Sequence, residues 1–193
     1  MRIRKIFIGL MLVFAAAVVL MPAAWALPVN DGFTAAKTVE SRYFLIGIAP
    51  GVDVDGLLRT LDIPPGHKIL SGQSMMSGSL PDMMDALFLW AGGVLDMQLY
   101  SYKGNVKIVA DGRAMQDIYR RLYGQESYSE KGFYIFELNT LYMSQDAFTK
   151  EILGHEIGHM IISNFFVVQP PAKVQEVLAG YIEYQLRKGS PRK

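Results

Sequence analysis

The stretch Gly154-His155-Glu156-Ile157-Gly158-His159, GHEIGH, decides how the rest of the chain is read. It holds two of the chain's three histidines. In a helix, residues at i and i+4 lie one turn apart on the same face, so both imidazoles can reach a single metal ion. Zinc takes neutral imidazole nitrogen at ~2.0–2.1 Å, and two such ligands fix two corners of a tetrahedron. Glu156 emerges to one side of the pair, where it can reach a metal-activated water without occupying a ligand position. That is the geometric content of H-E-x-x-H. Gly154 and Gly158 each cost ~1 kcal/mol relative to alanine inside a helix, so the pattern calls for close approach by a packed element or by substrate. Phe148 and Ile152 share the histidine side, and Leu153, Ile157, Met160 and Ile161 extend an apolar surface. Two neutral histidines buried there without partners would be costly, and a metal removes that cost. The competing reading is a coincidental pair, hydrogen-bonded within a core.

A catalytic zinc needs three protein ligands and an open position. The chain has no cysteine. The remaining histidine, His67, sits in a turn-like stretch and reads as a solvated loop residue. That leaves carboxylates on the last predicted helix, Ala172 to Leu186. Glu176 lies in its second turn, far enough beyond His159 for the chain to reverse at Pro170-Pro171 and pack back. Its neighbours Val174, Val177 and Leu178 are apolar, and a carboxylate buried among them needs a partner, which favours Glu176 as the ligand. Glu183 shares its face. It is the fallback ligand, a partner for a ligating histidine, or a solvated surface residue. Tyr181 and Tyr184 are candidate transition-state donors or simple packing residues.

Upstream, short aromatic and β-branched runs predict strands at Arg42–Ala49, Val106–Ala110, Gly132–Leu138 and Leu141–Ser144. Helices are expected over Val52–Leu61, over Pro81 to about Tyr100 with Ser79 and Asp82 as a capping pair, and over Arg113–Tyr123 between Asp111-Gly112 and Gly124. The motif helix is expected to run from a cap at Ser144 or Asp146 to about Asn164. Strand, helix and strand over 106–138 suggest a βαβ unit with parallel strands. The run Leu141–Ser144 follows too closely for a crossover, so it should pair antiparallel and form the edge of the sheet. The fold class is therefore α+β, with a small mixed sheet. Residues 27–40 read as a linker or loose arm, and 41–193 as a single domain.

His155-Glu156-x-x-His159 followed by "EVLAGYIEY" resembles the gluzincin metallopeptidases, most nearly the peptidase-MA-like set, whose second helix reads roughly E-G-x-A-x-Y. Glu176, Ala179 and Tyr181 match that pattern. Val177 stands where the family usually has glycine, and Gly180 where a polar residue is common. The order of elements over about 105–187 is similar to a minimal zincin fold. The resemblance implies zinc on His155, His159 and Glu176, Glu156 as catalytic base, and a peptide or protein substrate.

The N-terminus reads as a secretory signal peptide. Arg2, Arg4 and Lys5 precede the apolar stretch Ile6–Leu20, Pro22 breaks it, and Ala24-Trp25-Ala26 is a small-x-small cleavage site. Cleavage after Ala26 leaves no stretch long enough to span a bilayer, and the product is periplasmic or secreted. An uncleaved membrane anchor, carrying an accessory subunit, is the alternative. Lysine plus arginine number 19 against 18 acidic residues, a balance that gives no footprint for nucleic acid. The leading expectation is thus an exported zinc metallopeptidase or amidase. Its rival is a non-catalytic exported zincin-fold binding or scaffold protein.

Overall fold

The computed structural model describes residues 30–61, 78–125 and 131–188. The expected signal peptide with its cleavage site, His67, and the tail beyond Lys188 lie outside the described residues. The chain is α+β: helices pack on a five-stranded mixed sheet. Strand β1 is Lys37–Glu40, β2 Phe44–Ile48, β3 Gly104–Val109, β4 Gly132–Ile135 and β5 Thr140–Ser144. The helices are α1 Val54–Leu61, α2 Leu80–Leu95, α3 Gly112–Tyr123, α4 Lys150–Phe165 and α5 Ala172–Lys188.

Several local signals act as expected. The Ser79 side chain accepts from the backbone N–H of Asp82 at the start of α2, with Pro81 in the first turn. Asp111 caps α3 by accepting from Ala114 N–H at 2.8 Å. Gly124 closes α3 in the left-handed conformation, φ +70°. Helix α2 stops earlier than expected, at Asp96, which is itself left-handed.

The sheet order is β1-β2-β3-β5-β4, with β2, β3 and β5 parallel and the two outer strands antiparallel to their neighbours. This corrects two expectations. The strand at Leu141–Ser144 does pair antiparallel with its predecessor, but it lies inside the sheet. The edge is β4, and the parallel partner that α3 leads to is β5. The physical reason is burial on both faces. Leu141 and Met143 enter the main core while Tyr142 enters a second cluster with Met115 and Ile118 of α3. A strand that is apolar on both faces belongs in the middle of a sheet. The shorter β4 leaves Phe133 and Tyr134 only half-buried. The four-residue turn Phe136–Asn139, with Asn139 at φ +44°, folds it to the outside.

The stretch expected as a loose arm also takes part in the fold. It supplies β1, and its Asp31 is buried against β3 and β5. Asp31 accepts from Phe33 N–H at 2.9 Å, from the Tyr142 hydroxyl at 2.6 Å and from the Lys107 ammonium. On the opposite face of the sheet, α2 and α4 close the main core around Phe44, Ile46, Ile108, Met84, Leu87 and Ile157. Asp85 of α2 ties the entry to β2, accepting from Ser41 Oγ at 2.6 Å and from the backbone N–H of Arg42 and Tyr43 at 2.9 and 3.2 Å.

Candidate metal centre

Helix α4 starts later than the sequence suggested. Residues 145–147 form a single 3-10 turn, and Thr149 is the cap, accepting from Ile152 N–H at 3.4 Å. From there α4 presents three sides. Leu153, Ile157, Met160 and Ile161 fill the core. Gly154 and Gly158 meet α5, and His155, Glu156 and His159 face a cleft of about 620 Å³. The glycines have the reason that their helical cost demanded. A Cβ at 158 would stand 3.2 Å from Ala179 Cα and 2.8 Å from Ile182 Cδ1, and one at 154 would overlap Leu186 Cδ1. The close approach is made by α5.

The reversal between the helices sets the register of α5. Gln169 Nε2 donates to the Ser163 carbonyl at 2.6 Å, and Gln175 Nε2 to the Pro170 carbonyl at 2.9 Å. Glu176 is thereby brought opposite the histidines. His155 Nε2 and His159 Nε2 are 3.2 Å apart. Glu176 Oε2 is 3.5 Å from His155 Nε2, and its Oε1 is 3.4 Å from His159 Nε2. Ligands held tetrahedrally at ~2.0–2.1 Å from zinc sit about 3.3 Å from one another. The two nitrogens stand at that spacing, each has one Glu176 oxygen close to it, and one donor atom from each residue lies within 4.8 Å of the others. Two imidazole nitrogens turned toward each other and toward a carboxylate are the donor set zinc takes, so the residues present fit the metal.

Glu183 does not join this set. Its Oε2 lies 3.5 Å from Nδ1 of His155, the ring atom pointing away from Glu176. That nitrogen is buried and has no hydrogen-bond partner among the described residues. Glu183 also pairs with Arg187. The geometry suits Glu183 to orienting His155 rather than to binding the metal. Glu176 itself stands at the cleft mouth, 63% exposed, and Val174 and Val177 beside it are exposed too. The apolar burial that pointed to Glu176 in the sequence is therefore absent. What brings the residue to the site is the packing of α5 on the two glycines.

Charge is tuned around the pair. Loss of water, and secondarily the negative charge of Glu176, push Glu156 up to about 7. His159 is pushed below its ordinary value by loss of water and then by His155, against the opposing pull of Glu176 and Gln175. A lowered histidine stays neutral and keeps a lone pair for a metal.

The cleft's other wall is β4. Ser144 N–H donates to the Lys131 carbonyl at 3.0 Å, so by antiparallel alternation Phe133 and Ile135 pair with β5. Tyr134 then turns its backbone N–H and C=O away from β5. Gly132 brings β4 over Glu156: a Cβ there would be 3.5 Å from Glu156 Cγ. Tyr134 also lines the cleft, its hydroxyl accepting from Asn164 Nδ2 at 2.9 Å. Tyr181 and Tyr184, the expected donors, are exposed and do not line it. The sequence carried no signal for Gln175, Gly132 or Tyr134, since each is brought to the site by long-range packing. No family model matches the sequence, and no curated protein or solved structure matches the chain.

Proposed function

We propose that this protein is an exported zinc metallopeptidase of the gluzincin type. The observation that carries the reading is the convergence of His155, His159 and Glu176, with contacts of 3.2–3.5 Å, beside Glu156 on a cleft walled by β4. His155, His159 and Glu176 would hold the ion. When bound, zinc supplies Lewis acidity: it brings the pKa of a coordinated water toward ~7 and polarises a carbonyl. Glu156 takes the proton released there and hands it to the leaving amine. Glu183 holds the His155 ring in orientation. Tyr134 of β4, whose backbone N–H and C=O face away from β5, accepts an extended peptide by strand addition, a role the sequence had given to Leu141–Ser144.

Purified protein is expected to carry about one zinc per chain, since the donors present make one three-ligand site. Glu156→Gln should retain the metal while hydrolysis of a responsive member of a broad peptide library falls by about 10²–10⁴. Full activity in Glu156→Gln would exclude this mechanism. A zinc-loaded parent that cleaves nothing would instead favour the non-catalytic binding or scaffold protein.

A further inference from the structure

The turn between α4 and α5 carries a run of uncovered apolar side chains. Val167 is 102% exposed and Val168 82%, and Phe165 and Phe166 beside them are exposed as well. Apolar residues on a protein surface are ordinary when scattered singly, whereas a contiguous patch marks an interaction site. The patch continues onto α5. Val174, Val177, Tyr181 and Tyr184 recur at helical spacing and are all exposed, while Ala179, Ile182 and Leu186 on the other side of the helix are buried.

Charge identifies the occupant. Between Glu156 and Glu176 the sequence has no acidic residue, and its only formal charge is Lys173. Lys188 ends α5, and both lysines are exposed. The carboxylates of α5, Glu176 and Glu183, stand 3.5 Å from nitrogens of His155 on the cleft side of the helix, Glu176 remaining exposed at the cleft mouth. An apolar and aromatic tip that carries no carboxylate, with Lys173 beside it and Lys188 at the far end of the helix, is the composition of a segment that lies in a membrane interface. Cations near such a surface are drawn to anionic headgroups.

We propose that the α4–α5 turn and the outer stripe of α5 dock on an anionic lipid bilayer. Val167 and Val168 enter the acyl boundary, and Lys173 and Lys188 meet the headgroups. Gln169 and Ala172, at the base of the turn, line the cleft, so docking sets the cleft mouth beside the bilayer and favours protein chains at that surface as substrates. The docking itself does not depend on zinc or on catalysis.

The test uses protein recovered from an exporting host, its N-terminus read by mass spectrometry. In Val167→Trp, emission at the turn is compared with that of the parent, which carries Trp90 and, where the N-terminus is retained, Trp25. Mixing with phosphatidylglycerol vesicles should shift the added emission to the blue, and phosphatidylcholine vesicles should shift it much less. The vesicle concentration needed should rise at least about tenfold in the background of Val168→Asp. It should rise several-fold with Lys173→Glu/Lys188→Glu, whose salt dependence should be weaker. Because these side chains are exposed, melting temperatures should match the parent. An unshifted emission on anionic vesicles would overturn the proposal. So would a concentration-dependent dimer that Val167→Asp/Val168→Asp dissociates, which would assign the surface to a second copy of the chain.

Discussion

Replacing Gly158 by alanine sets two opposing effects against each other. In an unpacked helix the change stabilises by about 1 kcal/mol. Here the new Cβ would meet Ile182 Cδ1 at 2.8 Å, Ala179 Cα at 3.2 Å and Ala179 Cβ at 3.4 Å. Carbon atoms prefer separations of ~3.5–4.0 Å. The end of Ile182 can rotate away, but the backbone of α5 has to retreat by about 0.3–0.5 Å to restore that spacing. Overpacking of this kind costs about 1–3 kcal/mol, so the net effect is a loss of about 0–2 kcal/mol. Glu176 moves with Ala179, away from nitrogens that stand at 3.4 and 3.5 Å. That retreat reaches the limit of ~0.5 Å within which such a site must be held, so zinc affinity should fall, by up to about tenfold. Gly180 is the internal control. It sits on the same helix with nothing within 4 Å of its Cβ position, so Gly180→Ala should gain up to about 1 kcal/mol and leave zinc binding unchanged. Urea unfolding of the metal-free protein and competition with a chromophoric chelator measure the two quantities. If Gly158→Ala stabilises as much as Gly180→Ala and binds zinc like the parent, the account of the glycines as a close-packed seam is wrong.

Other outcomes follow from the same contacts. Glu183→Gln should lower zinc affinity about 10–100-fold, the usual cost of losing a group that orients a ligating histidine; Glu176→Ala should lower it further. The reverse order in chelator competition would exchange the roles of the two carboxylates. Asp31 should make acid stability pH-dependent. Burial raises its pKa, but hydrogen bonds from Lys107, Tyr142 and Phe33 N–H outweigh that and leave it below the ordinary value. A lowered folded pKa adds stability above the unfolded value, ~3.9, and that stability is lost as pH falls through the folded one. Unfolding free energy followed from about pH 5 downward should therefore drop in the parent and drop less steeply in Asp31→Asn. Parallel slopes would remove Asp31 as a contributor.

Much of the chain was legible from local chemistry. Ser79, Asp111 and Gly124 cap their helices because a side-chain acceptor or a left-handed glycine is all that such an end requires. The spacing of His155 and His159 was enough to put both rings on one face, since helical periodicity is a property of the backbone. Glu156 was legible for the same reason. Strand order was not. The run at 141–144 was read as an edge because it follows a strand closely, yet what decides its place is that Leu141, Tyr142 and Met143 bury both faces of the sheet, which only the arrangement of α2, α3 and α4 makes possible. Asp31 was unreadable because its partners lie 76 and 111 residues away.

The sequence by itself determined the two histidines, the glutamate beside them and the need for something to lie against Gly154 and Gly158. The tertiary structure decided what that something is. Helix α5 seats Ala179 and Ile182 on the glycine seam, and this fixes which of its two carboxylates reaches the Nε2 atoms and which reaches Nδ1. Helical spacing puts Glu176 and Glu183 on one face; the depth and register at which that face meets α4 depend on long-range packing.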